Sequence, residues 1–368
     1  MSDSTTWAAP VAPDAAPPRP APFGSSGDWT PPPRPGLVPL RPMGFATVLS
    51  GSVRMMRRAP RWTIVPALIA SAATTTIAAL AQWGIQAWTD ARLETEYYVS
   101  YQRVAAEGGA AAFAAGWLPL ALALAANAAL GGLVGVAVAR ALVAERMTPL
   151  GMRRRLRGRT AALVGWGALV LGIVVGALLL VAAVLMVTAG SGEFGAFLVL
   201  PVGFVIALVL AVIGPWLTVK LAFTGHIAAV ERTPLPGAIR RSWQLTRGGF
   251  WRVLGVGLLV WVSIAVASGI IAGPVQLLLD LLASLIFPNG GSADEAAMVR
   301  IGMVLVTTVV SAVVGAVGMA LQLTTGALLY LDARMRREGL DLGLARYLEF
   351  RARREPVADP FPAPVARS

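Results

Sequence analysis

Six stretches of this chain, residues 62–88, 117–139, 161–188, 196–219, 253–273 and 301–331, contain no ionised side chain. At 1.5 Å of rise per residue even the shortest reaches about 30 Å as a helix, the thickness of a bilayer's hydrocarbon core. The chain is 56% hydrophobic and 14% charged, with a mean hydropathy of +0.69, which excludes a soluble protein. The expected fold is an all-α membrane protein with six transmembrane helices, and the bilayer is its main solvent.

The residue inventory narrows the chemistry. No cysteine is present, which removes disulfides, thiolate metal sites and a cysteine nucleophile. His226 is the one histidine, too little imidazole for a metal centre or a general acid–base pair. The acids between spans one and two (Asp90, Glu94, Glu96, Glu107) come with no histidine, and their helical spacing with Tyr97, Tyr98 and Tyr101 reads as a surface helix resting on the membrane. No phosphate loop, dinucleotide fingerprint or nucleophile elbow occurs. The expectation is a non-enzyme without metal or cofactor.

The net charge of +12 acquires meaning from its position. With a cytoplasmic N-terminus, the inner segments carry 27 arginines and Lys220 against 11 acids, while the outer segments carry only Arg92, Arg103 and Arg300 against eight acids. Cytoplasmic loops near membrane spans retain Lys and Arg, so both termini are expected inside a multi-pass cell-membrane protein. The same charge attracts anionic headgroups of the inner leaflet. It does not point to nucleic acid, because no basic groove interleaved with aromatic residues accompanies it.

Three regions follow. Residues 1–42 hold 12 of the 26 prolines and few branched aliphatics, the composition of a disordered tail. Residues 43–335 form the six-helix domain, and residues 336–368 a basic cytoplasmic tail. Within the domain each odd-numbered span is preceded by a short arginine-bearing amphipathic segment. In the first, Phe45, Val48, Leu49, Val53 and Met56 share one face and Arg57 and Arg58 lie off it. The second opens with Thr148-Pro149-Leu150 and carries Arg154 and Arg155 before Gly158; the third opens with Thr233-Pro234-Leu235 and carries Arg240, Arg241 and Arg247 before Gly248. We read three copies of one unit, a basic interfacial helix followed by a two-span hairpin. Arg57, Arg58, Arg154, Arg155, Arg240, Arg241 and Arg247 are the expected headgroup contacts.

Inside the spans, Gly131 with Gly135 and Gly172 with Gly176 suit close helix packing within the molecule. Gly273-Pro274 is expected to end span five, leaving Gln276, Asp280 and Ser284 on one stripe of an outer interfacial helix. Asn127, Gln276, Asp280 and Gln322 are the residues that would line a solute path between the hairpins.

Three stretches carry a family resemblance. One runs from Pro35-Gly36-Leu37 into Gly51-Ser52-Val53-Arg54; the most specific is Ala238-Ile239-Arg240-Arg241-Ser242-Trp243-Gln244-Leu245-Thr246-Arg247-Gly248; the third is Leu329-Tyr330-Leu331-Asp332-Ala333-Arg334. Together they resemble the integral-membrane proteins of high-GC bacteria labelled as carrying a glycerophosphoryl diester phosphodiesterase membrane domain. The resemblance implies a six-helix module of unestablished role over residues 35–345, without the catalytic barrel and its histidine pair. The chain departs from the family at Thr47 and Ser50, where relatives often carry acids. The resulting expectation is a non-catalytic module that binds inner-leaflet lipids or organises an unidentified membrane-protein partner in the cell envelope. The alternative is a permease or lipid-handling transporter.

Overall fold

The computed structural model describes residues 43–95, 116–190, 192–286 and 293–362. The proline-rich segment lies outside these residues, as does the stretch 96–115 of the acidic surface helix expected over residues 89–116; Asp90 and Glu94 of that expected helix instead continue the helix of the first span. Among the described residues there is no strand, and eleven helices occur: α1 (Phe45–Arg58), α2 (Pro60–Thr95), α3 (Leu118–Leu142), α4 (Pro149–Leu156), α5 (Thr160–Gly190), α6 (Gly192–Leu221), α7 (Thr224–Val230), α8 (Leu235–Thr246), α9 (Phe250–Ile286), α10 (Ala293–Glu338) and α11 (Leu340–Ala352). Six segments are long and apolar enough to cross a membrane: α2, α3, α5, α6 continued by α7, α9 and α10. The chain is an all-α, multi-pass membrane protein.

The spans form three hairpins, α2 with α3, α5 with α6 and α9 with α10. Each span also touches the next in chain order, and α10 returns to α2, so the six close into a ring, with α3 and α10 meeting across it. The interior is gathered at one end. Val48, Met55, Val134, Leu142, Phe223, Ile227, Leu328, Tyr330 and Leu331 are fully buried there, whereas Leu179, Leu180, Phe197, Phe204, Ile270 and Leu285 stay exposed farther along the spans. Exposed aliphatics on such helices are the surface that lipid tails solvate. Trp62 and Trp88 stand about 39 Å apart along α2 at helical rise, the spacing of two membrane–water interfaces.

The three expected amphipathic helices are α1, α4 and α8. Thr148 accepts from the Gly151 amide at 3.1 Å and Pro149 takes the first helical position, which together start α4. α4 and α8 stop in the same way. Arg157 and Arg247 leave the helical region, and Gly158 (φ 76°) and Gly248 (φ 75°) adopt the left-handed conformation that turns the chain into the next span. α8 is 12 residues long and α4 is eight, so the later copy has one extra turn. α1 instead ends at Ala59, and Pro60 begins α2.

Several expectations are corrected. The chain does not break at Gly273-Pro274: α9 runs through Pro274 to Ile286, as α2 runs through Pro66 and α6 through Pro201 and Pro215. Transmembrane helices absorb proline, because neighbouring groups and local adjustment re-satisfy the freed carbonyl. The inward face of α1 is Val48, Gly51, Ser52 and Met55, not the row through Phe45 and Val53, which are exposed. Small Gly51 and Ser52 allow the close approach, and Ser52 Oγ lies 3.0 Å from Thr325 Oγ1 of α10. The region expected as a basic tail begins inside α10, continues as α11, and folds back to bury Phe361.

Candidate functional site

At the arginine-rich end of the ring, the even-numbered spans supply three acids, and each anchors an amphipathic helix. Glu145, just past α3, accepts from Tyr347 Oη of α11 at 2.7 Å and pairs with Arg140 (3.5 Å), Arg155 of α4 (3.9 Å) and Arg351 (3.7 Å). Glu231, just past α7, accepts from Tyr330 Oη at 2.8 Å, forms an ion pair with Arg241 of α8, and lies 3.7 Å from Arg334. Asp332, in the last turns of α10, accepts from the Met43 amide at 2.7 Å and pairs with Arg252 and Arg336, each at 3.0 Å. Arg252 and Arg336 both donate to the Met43 carbonyl as well. Span two thus holds α4, span four holds α8, and span six closes the circle on α1.

Burial is deep at two of the three acids. The side chain of Glu231 is fully buried, and those of Asp332 and Arg334 are about 3% exposed. Among the described residues, buried charge is therefore present but paired and gathered at one end, where the cost of removing it from water is offset by several partners per group. Arg334 also donates to Glu338 at 2.9 Å, to Tyr330 Oη at 3.3 Å and to the Phe361 carbonyl at 2.8 Å. Burial and the bonded, charged Glu145 push the Tyr347 phenol above its usual pKa, with Arg351 and Arg140 pulling against them. For Asp359 burial acts upward, yet the Arg140 guanidinium donating to it, the Phe361 amide and Arg155 hold it below the usual carboxylate range.

His226 lies at the centre of the helix junction. Its ring stacks on Tyr330 with centroids 6.0 Å apart and an interplanar angle of 27°. A Cβ on Gly131 or Gly326 would sit 3.4 Å from its Cε1, and one on Gly135 only 2.9 Å from its Cδ2. Gly131 and Gly135 thus make room for an imidazole from α7, which is packing within the molecule as expected. Gly172 and Gly176 differ: nothing lies within 4 Å of a Cβ at either.

The expected headgroup arginines divide into two groups. Arg57, Arg58, Arg154, Arg240 and Arg247 are exposed. Arg155 and Arg241 instead turn inward to Glu145 and Glu231, so protein carboxylates, not headgroups, take up their charge. The expected path residues do not share a cavity described here. Asn127 donates to its own helix at the Ala123 carbonyl (2.9 Å), Gln276 donates to Asp280 (3.0 Å) on the exposed surface of α9, and Gln322 is half-buried on α10. Lys220 sits over the rings of Trp243 (5.4 Å) and Phe250 (5.9 Å), a cation held at the aromatic belt.

Between α4 and the start of α2 opens a groove of about 720 Å³, with apolar walls from Trp62, Leu150 and Met152 and a rim of Arg153, Arg154 and Arg157. These three arginines are exposed and meet no carboxylate among the described residues. Trp62 is fixed by donation from Nε1 to the Met147 carbonyl at 3.3 Å.

Sequence reasoning missed the acid anchors, although their signal was legible. Glu145-Arg146 and Glu231-Arg232 each stand just before Thr-Pro-Leu, and each glutamate pairs with the arginine ten residues on. Asp332 lacks that local signature, because its target is at the other end of the domain. No curated protein matches the chain, and no solved structure does. A family model, Domain of unknown function (DUF7847), matches residues 43–331, from the first described residue to within about two turns of the end of the sixth span, and the chain belongs to that family.

Proposed function

We propose that this protein is a non-catalytic module of the cell membrane, with both termini cytoplasmic, that binds anionic glycerophospholipids of the inner leaflet. The groove beside α4 carries the reading. Its arginines lack acid partners among the described residues, its walls are apolar, and it adjoins the Trp62 end of a span, the depth at which a headgroup and the first acyl carbons meet. Exposed Arg240 of α8, exposed Arg247 just after it, and Trp251 at 80% exposure repeat the chemistry one unit later. This role suits a module that resembles the membrane domain accompanying glycerophosphoryl diester phosphodiesterases and does no hydrolysis itself.

The test compares wild type with an Arg153→Gln, Arg154→Gln, Arg157→Gln variant in nanodiscs of mixed phosphatidylcholine and phosphatidylglycerol. Each arginine near an anionic surface contributes about 1 kcal/mol, so the triple variant should lose at least tenfold of its phosphatidylglycerol enrichment. The loss should shrink at high salt, because the attraction acts within a Debye length of about 8 Å at physiological ionic strength. Equal enrichment around both proteins would reject the reading and leave these arginines as orientation signals.

A further inference from the structure

On the inward side of α4, away from the lipid groove, the chain's own C-terminal segment fills a basic socket. Arg140, at the end of α3 with its side chain 6% exposed, and Arg155 of α4 both donate to one atom, Asp359 Oδ2, the latter at 3.0 Å. Phe361 is 1% exposed, and the Arg140 guanidinium lies 4.8 Å from its ring centroid. The Phe361 carbonyl accepts from Arg334 at 2.8 Å and the Pro362 carbonyl at 3.4 Å. To the arginines, then, this segment offers oxygen acceptors only, with a phenyl ring packed beside them.

A cavity of about 140 Å³ adjoins the segment, lined by apolar Val136, Ala139, Ala229 and Val230 together with Arg140, Arg155 and Arg232. Arg155 is about one-third exposed, so the socket reaches solvent. Without Asp359, three arginines (Arg140, Arg155 and Arg351) would share the single carboxylate of Glu145. An uncompensated positive site with an apolar wall would remain.

We propose that the Arg140–Arg155 socket is a binding site for a phosphate group carried on an apolar body, and that residues 359–361 occupy it as an internal competitor. Two guanidiniums converging on one carboxylate oxygen are set for a phosphate, whose oxygens can engage both forks at once. The apolar wall and the space now held by Phe361 receive the rest of the ligand. This site is independent of the lipid groove: it faces the opposite side of α4 and uses none of Arg153, Arg154 or Arg157.

The experiment uses the full chain, as wild type and as an Asp359→Ala, Phe361→Ala variant, with two probes. One is inorganic phosphate in detergent solution; the other is phosphatidate in nanodiscs otherwise made of phosphatidylcholine. The variant should bind at least one probe tenfold or more tighter than wild type, and adding Arg140→Gln should abolish the gain. Gain for inorganic phosphate assigns the site to soluble phosphate esters, whereas gain for phosphatidate alone assigns it to a lipid headgroup. In wild type, the probe that binds should speed hydrogen exchange of the Phe361 amide, a readout that holds even if the variant fails to fold. A folded variant with no gain for either probe, a gain that survives Arg140→Gln, or wild-type exchange unmoved by saturating probe would each overturn the proposal. The Arg153→Gln, Arg154→Gln, Arg157→Gln variant should leave the gain intact, which separates failure here from failure of the lipid groove.

Discussion

Tyr330 donates its hydroxyl to Glu231 at 2.8 Å and so joins the sixth span to the end of the fourth across 99 residues of sequence. Around that bond the protein concentrates its buried charge: Arg241 and Arg334 complete the coordination of a carboxylate that has no water to turn to. The hydrocarbon part of the molecule is weakly packed by comparison, so this end is where the ring of helices is held.

Glu231→Gln should therefore be strongly destabilising. Removing one partner of a buried ion pair leaves the other charge uncompensated, at a cost of about 3–5 kcal/mol. Glu145→Gln should cost less, because that side chain is 20% exposed and its arginines can turn to water. Unfolding curves of both variants in detergent check the order, and a smaller loss for Glu231→Gln would contradict it.

The matched left-handed glycines predict a pair of like effects. Gly158→Ala and Gly248→Ala each place a methyl where φ is positive, at about 1–2 kcal/mol. At Gly248 the methyl also meets Arg337 Nη2 at 3.1 Å, the movable end of a long side chain. Gly172→Ala, which meets nothing within 4 Å and lies in a helix, should not destabilise. Thermal unfolding of the three variants reads this directly.

Gly135→Ala should be destabilising through His226 alone. Its methyl would fall 2.9 Å from the imidazole Cδ2, too close to be met without a shift of ring or helix. In the His226→Ala background the same substitution should be nearly neutral, giving a coupling above about 0.5 kcal/mol in a double-mutant cycle. Simple additivity would disprove the contact.

The contacts at the arginine-rich end also carry a pH signature. Asp359 has a depressed pKa, so its contribution to docking residues 359–362 is complete above the unperturbed carboxylate value of about 3.9 and disappears as pH falls through the lower folded value. Tyr347 has a raised pKa; its contribution is complete below about 10 and is lost as pH climbs through the higher folded value. Hydrogen exchange of the 353–362 segment should stay constant between pH 5 and 9 after correction for intrinsic rates. It should rise below about pH 4 in wild type but not in Asp359→Asn, where the contact is already lost.

Orientation can be tested cleanly because the chain has no cysteine. An impermeant thiol reagent applied to intact cells should label Asp90→Cys and Arg300→Cys, which lie together at the acidic end with their charged atoms 3.8 Å apart. It should leave Arg157→Cys and Arg247→Cys unlabelled until the cells are opened. The reverse pattern would invert the topology.

The sequence alone determined the number of spans, the pairing of hairpins and the existence of α1, α4 and α8, because these follow from runs of uncharged residues, from arginine placement and, at α4 and α8, from Thr-Pro starts with glycine stops. All of these are local or periodic signals. Its limits appear at particular residues. Periodicity placed Arg154 and Arg155 on the same basic segment but could not tell that Arg155 faces Glu145, because a helix exposes its neighbours only once it is packed. Pro274 is a helix breaker in water, yet lipid and neighbouring groups let α9 continue. Asp332 reaches Met43 across almost the whole domain, and Asp359 returns from beyond α11 to meet Arg140. Only tertiary structure decides such pairings, because the same carboxylate facing water would carry no such partner, and burial at the closed end of the helix ring is what makes one necessary.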